Sequence, residues 1–492
     1  MTGKNRGKSS GVASFSWTAG QSWFGVIVQI GLMIGLSRLV SPHEFGIYAL
    51  VLAPVSLLAT FSQLGLGPGI VRSKHDEDRT AATASFIALI SSVVCTSCML
   101  LVVTRYASFS GSGDQLHIAR WLLIIVLVAP FQAVLRGLLQ KDQRFEAIAK
   151  IEIGSLILNV VVSLVSALAG FGVWALVGGQ ITYQLATLFC SWITTRPKIA
   201  YHRQEAKDLL LFSWSYVWLK MIDTAAMTLD RLVVGWVAGT AAVGFYQRAS
   251  NIRTIAGNLI LTPMDVFSFP RLSGAKDIKA VGREFGNTKI ITFLFSAPLS
   301  IFIIICGGEW TPIVFGKAWE PAGILIQIMA AVLPFRGLDR ANAILARSAG
   351  RQGVRIALQL VMLALSLLSL FMFAPVSLER ATVCVSVVMI AMVVPGAWLT
   401  ASILGRSLSG ELRETVPCLM LWGGCSAGGL LINVALQQLL PPWMSALASA
   451  CLASGAFVVP TFLFPGLFFS ETSVALVEKY RILVGARFFH RR

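Results

Sequence analysis

The stretch LSRLVSPHEFGIYAL, residues 36–50, places an arginine, a proline, a histidine and a glutamate between two long apolar runs. Such runs follow one another along almost the whole chain of 492 residues, of which 56% are hydrophobic and only 13% are charged. A soluble domain is roughly half apolar and about a quarter charged. A run of about 20 apolar residues can cross the hydrocarbon core of a bilayer as a helix. The sequence therefore predicts an all-α, polytopic integral membrane protein.

Fourteen apolar segments have the length of a membrane span. They are residues 15–40, 46–71, 82–104, 119–139, 148–170, 173–194, 209–237, 241–270, 290–307, 321–346, 356–373, 381–404, 415–435 and 444–469. Four of them contain Pro54, Pro263, Pro334 or Pro395. We expect kinks or breaks in these spans, because proline removes a helical hydrogen bond that neighbouring helices or cavity water must replace.

Lysine and arginine residues are concentrated in every second loop. With a cytoplasmic N-terminus, 29 of the 40 basic residues fall in inner segments, and only Arg105, Arg120, Lys317 and Arg380 fall in outer ones. This asymmetry predicts that both termini are cytoplasmic and that the number of spans is even. It also explains the net charge of +17, so no nucleic-acid partner is predicted.

A short pattern recurs at the start of two pairs of spans. FSW at residues 15–17 precedes GIY at residues 46–48, and FSW at residues 212–214 precedes GFY at residues 244–246. The two pairs share their spacing and open the first and second spans of one set of six and of the next, which predicts two six-helix lobes. The opening stretch then forms a tight outer turn at residues 41–45. The predicted divisions are an N-terminal lobe at 1–195, a cytoplasmic linker at 196–208, a C-terminal lobe at 209–404, two additional spans at 405–470 and a basic cytoplasmic tail at 471–492.

Charged residues inside spans mark a transport pathway or an internal ion pair. In the seventh span, Lys220, Asp223, Asp230 and Arg231 fall in one sector about 100° wide at about 100° per residue. A similar group follows Pro334 in the tenth span. Its members are Arg336, Asp339, Arg340 and Arg347. Both groups can equally form salt bridges, such as Lys220 with Asp223 and Asp339 with Arg336 or Arg340.

The embedded charges keep a positive excess after such pairing. Further basic residues are Arg248 and Arg253 in the eighth span and Arg38 at the outer end of the first. A cationic cavity favours an anionic substrate, and the arginine fork suits phosphate. The predicted substrate-binding residues are Arg38, Lys220, Arg231, Arg248, Arg336 and Arg340. The candidates for ion coupling are Asp223, Asp230 and Asp339.

Uncharged polar residues in the first lobe suit either sugar hydroxyls or hydrogen bonds between helices. They are Gln21, Gln29, Gln132, Asn159, Gln180 and Gln184. No nucleotide-binding, zinc-hydrolase or serine-hydrolase motif is present, and the CxxC of Cys95 and Cys98 lies in an apolar span without a second ligand pair. The sequence therefore predicts no enzyme, cofactor or metal site.

Several segments together resemble the polysaccharide transporter family of the MOP flippase superfamily, which includes the bacterial O-antigen and exopolysaccharide flippases. They are SRLVSPHEFGIYALVL, RGLLQKDQRFEAIAKIEIG, GFGVWALVGGQI, LDRLVVGWVAGTAAVGFYQRA and FGKAWEPAG. The resemblance covers about residues 15–352.

The resemblance implies two helical bundles in a V around a cavity. It implies transfer of a polyprenyl-diphosphate-linked oligosaccharide across the bacterial inner membrane for exopolysaccharide or lipopolysaccharide synthesis, with membrane lipids, a polysaccharide polymerase and export machinery as partners. Two alternatives from the same superfamily remain open. A multidrug or organic-ion antiporter would share the fold but would be expected to carry an acidic bias, and a lipid II flippase would also have fourteen spans and a cationic cavity.

Overall fold

A computed structural model describes residues 24–73, 76–110, 113–275 and 277–463, and all regular structure in these ranges is helical. The chain divides into two compact units, Met1–Gly244 and Phe245–Arg492. The first residues of the predicted first span and the predicted tail lie outside the described residues. The lobe boundaries derived from the sequence stay predictions.

In its described residues, the first unit contains eight helices and the beginning of a ninth. They are α1 (Phe24–Leu39), α2 (Pro42–Ser62), α3 (Leu66–Arg72), α4 (Glu77–Ser110), α5 (Gly113–Lys141), α6 (Phe145–Leu168), α7 (Val173–Thr195), α8 (Arg203–Ala238) and α9 (Thr240–Gly274). Helix α9 continues into the second unit, which also contains a short 3-10 helix (Lys317–Trp319). Its other helices are α10 (Ile278–Phe315), α11 (Glu320–Ala330), α12 (Leu333–Ser348), α13 (Gln352–Phe373), α14 (Leu378–Ala391), α15 (Val393–Leu404), α16 (Leu408–Leu436) and α17 (Pro442–Leu463).

Among the described residues, ten helices or helix pairs are long and apolar enough to cross a membrane, and a bent pair makes an eleventh. The protein is therefore a multi-pass membrane protein. The three remaining predicted spans correspond to α1, α8 and α9. The described part of α1 is shorter than a span, and α8 and α9 carry the charged residues that the sequence places within the seventh and eighth spans. The number fourteen stays a prediction.

The expectation of helix breaks at proline is confirmed at two positions. Helices α11 and α12 meet at a bend of 44° just before Pro334, and α14 ends two residues before the start of α15, which contains Pro395. Pro54 lies inside the uninterrupted helix α2. The chain breaks instead after α2, where Leu64 and Gly65 have φ values of 46° and 63°.

The opening stretch forms a shorter turn than the predicted residues 41–45. Helix α2 already begins at Pro42, since proline is favoured in the first helical turn. A capping box stabilises this start, with the Glu44 amide donating to the Ser41 hydroxyl at 3.3 Å and the Ser41 amide donating to the Glu44 carboxylate at 2.9 Å. These bonds satisfy amides that a helix start leaves without partners. The polar residues between the first two apolar runs therefore mark the start of the second helix.

Helix α8 packs within the first unit, although the sequence assigns it to the second lobe. Buried Leu209 joins a core formed with α3, α4 and α5, which includes Leu66, Ile70 and Leu138. The Ser213 hydroxyl donates to the Gly65 carbonyl at 3.1 Å. The broken end of α2 is therefore held against α8.

The two last described helices pack on α10 in the second unit. Phe293 and Ile301 of α10 share a buried core with Ala450 and Phe457 of α17. A Cβ on Gly429 of α16 would touch the Ala453 side chain. Small residues at such crossings let helix backbones approach closely, which is how helices associate in a membrane.

A buried ion pair joins α10 to the first turn of α16. The Lys289 ammonium donates to the Glu411 carboxylate at 2.8 Å, and the two side chains are only 10% and 3% exposed. Arg406 also approaches Glu411 at 3.6 Å. The sequence places Lys289 among the loop residues, so this contact across 122 positions was not predicted.

We expect Glu411→Ala to lower the stability of the protein by about 3–5 kcal/mol, because it leaves the buried Lys289 charge without its carboxylate. The double variant Lys289→Met/Glu411→Leu is the matched control, since apolar replacement of both partners is nearly neutral. Thermal unfolding of the purified proteins in detergent measures the difference. An unchanged melting temperature in Glu411→Ala would contradict the role assigned to this pair.

Candidate functional site

The charged residues of the predicted tenth span lie on α12, in the second unit. Asp339 and Arg340 lie three and four positions after Arg336, so both share a helix face with it. Gly350, with a φ of 71°, turns the chain after α12. Arg355, in the first turn of α13, then reaches Asp339 on α12.

Arg355 is the observed partner of Asp339. Its Nη1 and Nη2 atoms lie 2.6 and 2.5 Å from the two carboxylate oxygens, which is the two-pronged geometry typical of a strong arginine–carboxylate pair. The suggested pairing of Asp339 with Arg336 or Arg340 is therefore wrong. The sequence placed Arg355 in a cytoplasmic loop. Arg355 follows Asp339 by 16 residues, with the turn at Gly350 between them, and this spacing is the signal that could have identified the pair.

A fourth arginine completes this group. Arg253 of α9 is buried, and its guanidinium donates to the Ser250 hydroxyl at 3.1 Å and to the Met389 sulfur at 3.5 Å. The charges of Arg253, Asp339, Arg340 and Arg355 all act on Arg336. We call Arg253, Arg336, Arg340 and Arg355 the arginine cluster. With Asp339 as its carboxylate, the cluster carries an excess of three positive charges.

Arg336 differs from the other members of the cluster in its polar contacts. Its guanidinium has no hydrogen-bond or ion-pair partner among the described residues. Because Asp339 is held by Arg355, it does not neutralise Arg336 by direct contact. Arg336 therefore lies beside these charges without a direct polar partner in the described part of the chain, and its predicted role in substrate binding stays a prediction.

Arg248 lies in a different environment from the arginine cluster. Its side chain is only 2% exposed, and its guanidinium carbon lies 4.3 Å from the centre of the Trp319 ring and 5.3 Å from that of Phe315. Cation–π contacts of this kind stabilise a buried arginine. The structure thus places Arg248 against aromatic rings, and its predicted role in substrate binding stays a prediction.

The remaining predicted residues lie in the first unit. Arg38 is exposed in the last turn of α1. On α8, the Asp230 carboxylate accepts a hydrogen bond from the Arg231 backbone amide at 2.8 Å. The suggested pair of Lys220 with Asp223 is not formed, and Lys220 has no ion-pair partner in the described part of the chain. The Lys220 side chain instead lines a cavity in this unit.

Two of the uncharged polar residues make contacts within the protein. The Gln132 amide on α5 donates to the Gln184 carbonyl on α7 at 2.8 Å. Asn159 accepts a hydrogen bond from Ser163 on the same helix at 3.0 Å. The bond between Gln132 and Gln184 corresponds to the alternative interpretation of the polar residues, in which they hold helices together.

A family model described as "Polysaccharide biosynthesis protein" matches residues 35–324 of the chain. The teichuronic acid biosynthesis protein TuaB of Bacillus subtilis is 23% identical over 71% of this chain and 74% of its own length. The succinoglycan biosynthesis transport protein ExoT of Rhizobium meliloti is 21% identical over 60% of each chain. The match thus spans less than two thirds of ExoT.

Two solved structures have a fold similar to that of this chain. The lipid II flippase MurJ in an inward closed conformation has a TM-score of 0.72 at 12% identity, covering 91% of this chain and 99% of MurJ. An inward-facing multidrug resistance MATE transporter of the MOP superfamily has a TM-score of 0.60 at 14% identity, covering 78% and 96%. The resemblance found in the sequence is therefore confirmed: the chain belongs to the polysaccharide biosynthesis protein family and has the fold of the MOP superfamily.

Proposed function

We propose that this protein is a flippase that moves a polyprenyl-diphosphate-linked oligosaccharide repeat unit across the bacterial inner membrane, for exopolysaccharide or O-antigen synthesis. The observation that carries this proposal is the arginine cluster, in which four arginines lie near one aspartate, Asp339, that is bound by Arg355. The transport function named for ExoT agrees with it.

A diphosphate is the anion that fits the cluster best. Each guanidinium offers parallel N–H donors that match two phosphate oxygens, and such charge-assisted hydrogen bonds are about twice as strong as neutral ones. Asp339 is bound to Arg355 and therefore does not occupy the Arg336 guanidinium, which lies near Arg340 and Arg253. The positive excess disfavours a cationic drug.

The chain needs no bond chemistry to perform this task. Moving a hydrated diphosphate and several sugars through hydrocarbon without compensating hydrogen bonds is prohibitive. A polar, cationic path removes most of that barrier, while the prenyl tail stays in the lipid. Alternating access then exposes the headgroup first to the cytoplasmic side and then to the outer side. Asp223, Asp230 and Asp339 are the candidates for ion coupling.

The lipids of a strain lacking this protein test the proposal. We expect complete polyprenyl-diphosphate oligosaccharide to accumulate facing the cytoplasm while surface polysaccharide disappears, and a plasmid carrying the wild-type gene should restore both pools. Precursors accumulating on the outer face would instead indicate polymerisation. No change in either pool would support a small-molecule antiporter, and arrest of growth from failed wall synthesis would support a lipid II flippase.

A further inference from the structure

The broken end of α2 lines a small polar cavity in the first unit. Helix α2 stops at Ser62, and α3 resumes in nearly the same span after two residues with positive φ. One of the two is Leu64, and such backbone conformations in residues other than glycine cluster at functional sites. Inside a membrane, irregular backbone is tolerated where it is covered by protein or lines a water-filled cavity. Broken helices form substrate sites in many transporters.

The cavity, here called the N-terminal pocket, has a volume of about 200 Å³. Its polar lining comes from α2, α5 and α8 and from the break itself. The side chains that carry the argument are Thr60, Gln63, Arg136, Gln140, Tyr216 and Lys220. Pockets for drug-sized ligands occupy about 300–1,000 Å³. The N-terminal pocket is therefore of a size for a ligand smaller than a drug molecule, such as a single sugar ring.

One wall of the pocket is set by close helix packing. A Cβ on Gly137 of α5 would lie 2.9 Å from the Cα of Gly67 on α3, and a Cβ on Gly67 would meet the Ala133 carbonyl. Both glycines line the cavity. The pocket therefore has a rigid backbone wall opposite its polar side chains, which favours a ligand of defined shape.

Two basic residues reach the pocket, but only one has a charge available for a ligand. The Arg136 guanidinium lies 2.5 Å from the Glu152 carboxylate, which balances its charge. Lys220 has no such partner within the described ranges. The pocket therefore offers one ammonium group together with carboxamides and hydroxyls. This combination suits a hydroxylated ring that carries one negative charge.

We propose that the N-terminal pocket binds one acidic sugar residue of the oligosaccharide, with Lys220 holding its carboxylate. This inference rests on the proposed function and changes one assignment within it. The sequence groups Lys220 with the diphosphate ligands, whereas the pocket assigns it to the sugar. The pocket lies in the first unit and the arginine cluster in the second, so they are separate sites.

The proposal is tested by direct binding to the full-length protein in lipid nanodiscs, with sodium glucuronate, glucose and inorganic pyrophosphate as the probes. Wild-type protein should bind glucuronate more tightly than glucose by about tenfold, which is the size of one charge-assisted hydrogen bond. The variant Lys220→Gln should lose this preference and keep its affinity for pyrophosphate. Lys220→Arg should retain the preference, since it keeps the charge.

Lys207→Gln is the matched control, because Lys207 lies on the same helix, is exposed and does not line the pocket. It should bind all three probes like the wild type. Equal binding of glucuronate and glucose by wild type would overturn the proposal, as would a preference that survives Lys220→Gln. A loss of pyrophosphate binding in Lys220→Gln would overturn the proposal and show that Lys220 binds the diphosphate, as the sequence analysis predicts. None of these measurements involves transport, so failure here is distinct from failure of the lipid-accumulation test.

Discussion

Replacing Arg336 and Arg340 together with glutamine is expected to abolish polysaccharide export while the protein still inserts into the membrane. The double variant removes two of the four guanidinium groups of the arginine cluster. Of the two that remain, Arg355 is bound to Asp339 and Arg253 is buried against Ser250. The positive excess of the cluster falls from three charges to one.

The expected effect is large because each lost hydrogen bond to the diphosphate involves charged groups on both sides. One such bond contributes about 1.5–3 kcal/mol, so loss of two weakens binding by about a hundredfold or more. Glutamine keeps much of the side-chain volume and can still donate hydrogen bonds. Loss of export with normal protein abundance would therefore be attributed to the charge.

The measurement is surface polysaccharide in a deletion strain that expresses each variant, with the amount of protein in the membrane determined in parallel. Arg347→Gln/Arg351→Gln is the matched control, since it also removes two arginine charges, at positions seven and eleven residues after Arg340. Arg347 is exposed, and Arg351 contacts Ser402 at 3.2 Å on the surface. Export at the wild-type level by Arg336→Gln/Arg340→Gln would rule out the arginine cluster as the diphosphate site.

The membrane spans and the turn between the first two helices were predictable because their signals are local. Apolar length marks a span wherever it occurs, and Ser41, Pro42 and Glu44 specify a helix start through contacts within four residues. The charged face of α12 was also predictable, because helical spacing alone brings Arg336 and Arg340 together.

The partners of those charges were not predictable in the same way. Which arginine meets Asp339 depends on the turn around Gly350, and the bond between Lys289 and Glu411 depends on the packing of α16 against α10. The break between α2 and α3 is marked in the sequence by glycines, whereas the sequence analysis looked for breaks at prolines. The segment QLGLGPG, residues 63–69, contains three glycines, and its break lies well after Pro54.

The last prediction concerns Gly46 and Gly244, which begin the matching GIY and GFY segments. A Cβ on Gly46 would overlap the carbonyl oxygen of Thr240, and a Cβ on Gly244 would overlap that of Pro42. Each glycine therefore faces the residue four positions before the other, so the contact between α2 and the start of α9 is reciprocal. No side chain fits there without separating the two backbones.

We expect Gly46→Ala and Gly244→Ala each to lower the melting temperature by a similar amount, since overpacking a close contact costs about 1–3 kcal/mol. The double variant should lose less than the sum of the two, because helices already separated by one methyl group accept the second. Coupling between contacting residues is about 0.5–3 kcal/mol. Both single variants should also reduce export.

Gly154→Ala in α6 is the control, because a Cβ at Gly154 meets no atom within 4 Å. Alanine favours a helix over glycine by about 1 kcal/mol, so this variant should keep or raise the melting temperature. Thermal unfolding in detergent, together with export in the deletion strain, measures all four proteins. An unchanged melting temperature in Gly46→Ala, or strict additivity in the double variant, would show that the two helices do not depend on this contact. The predicted result would show that the matching segments of the two halves of the sequence are a structural pair, because the same small residue is required at the same place in each.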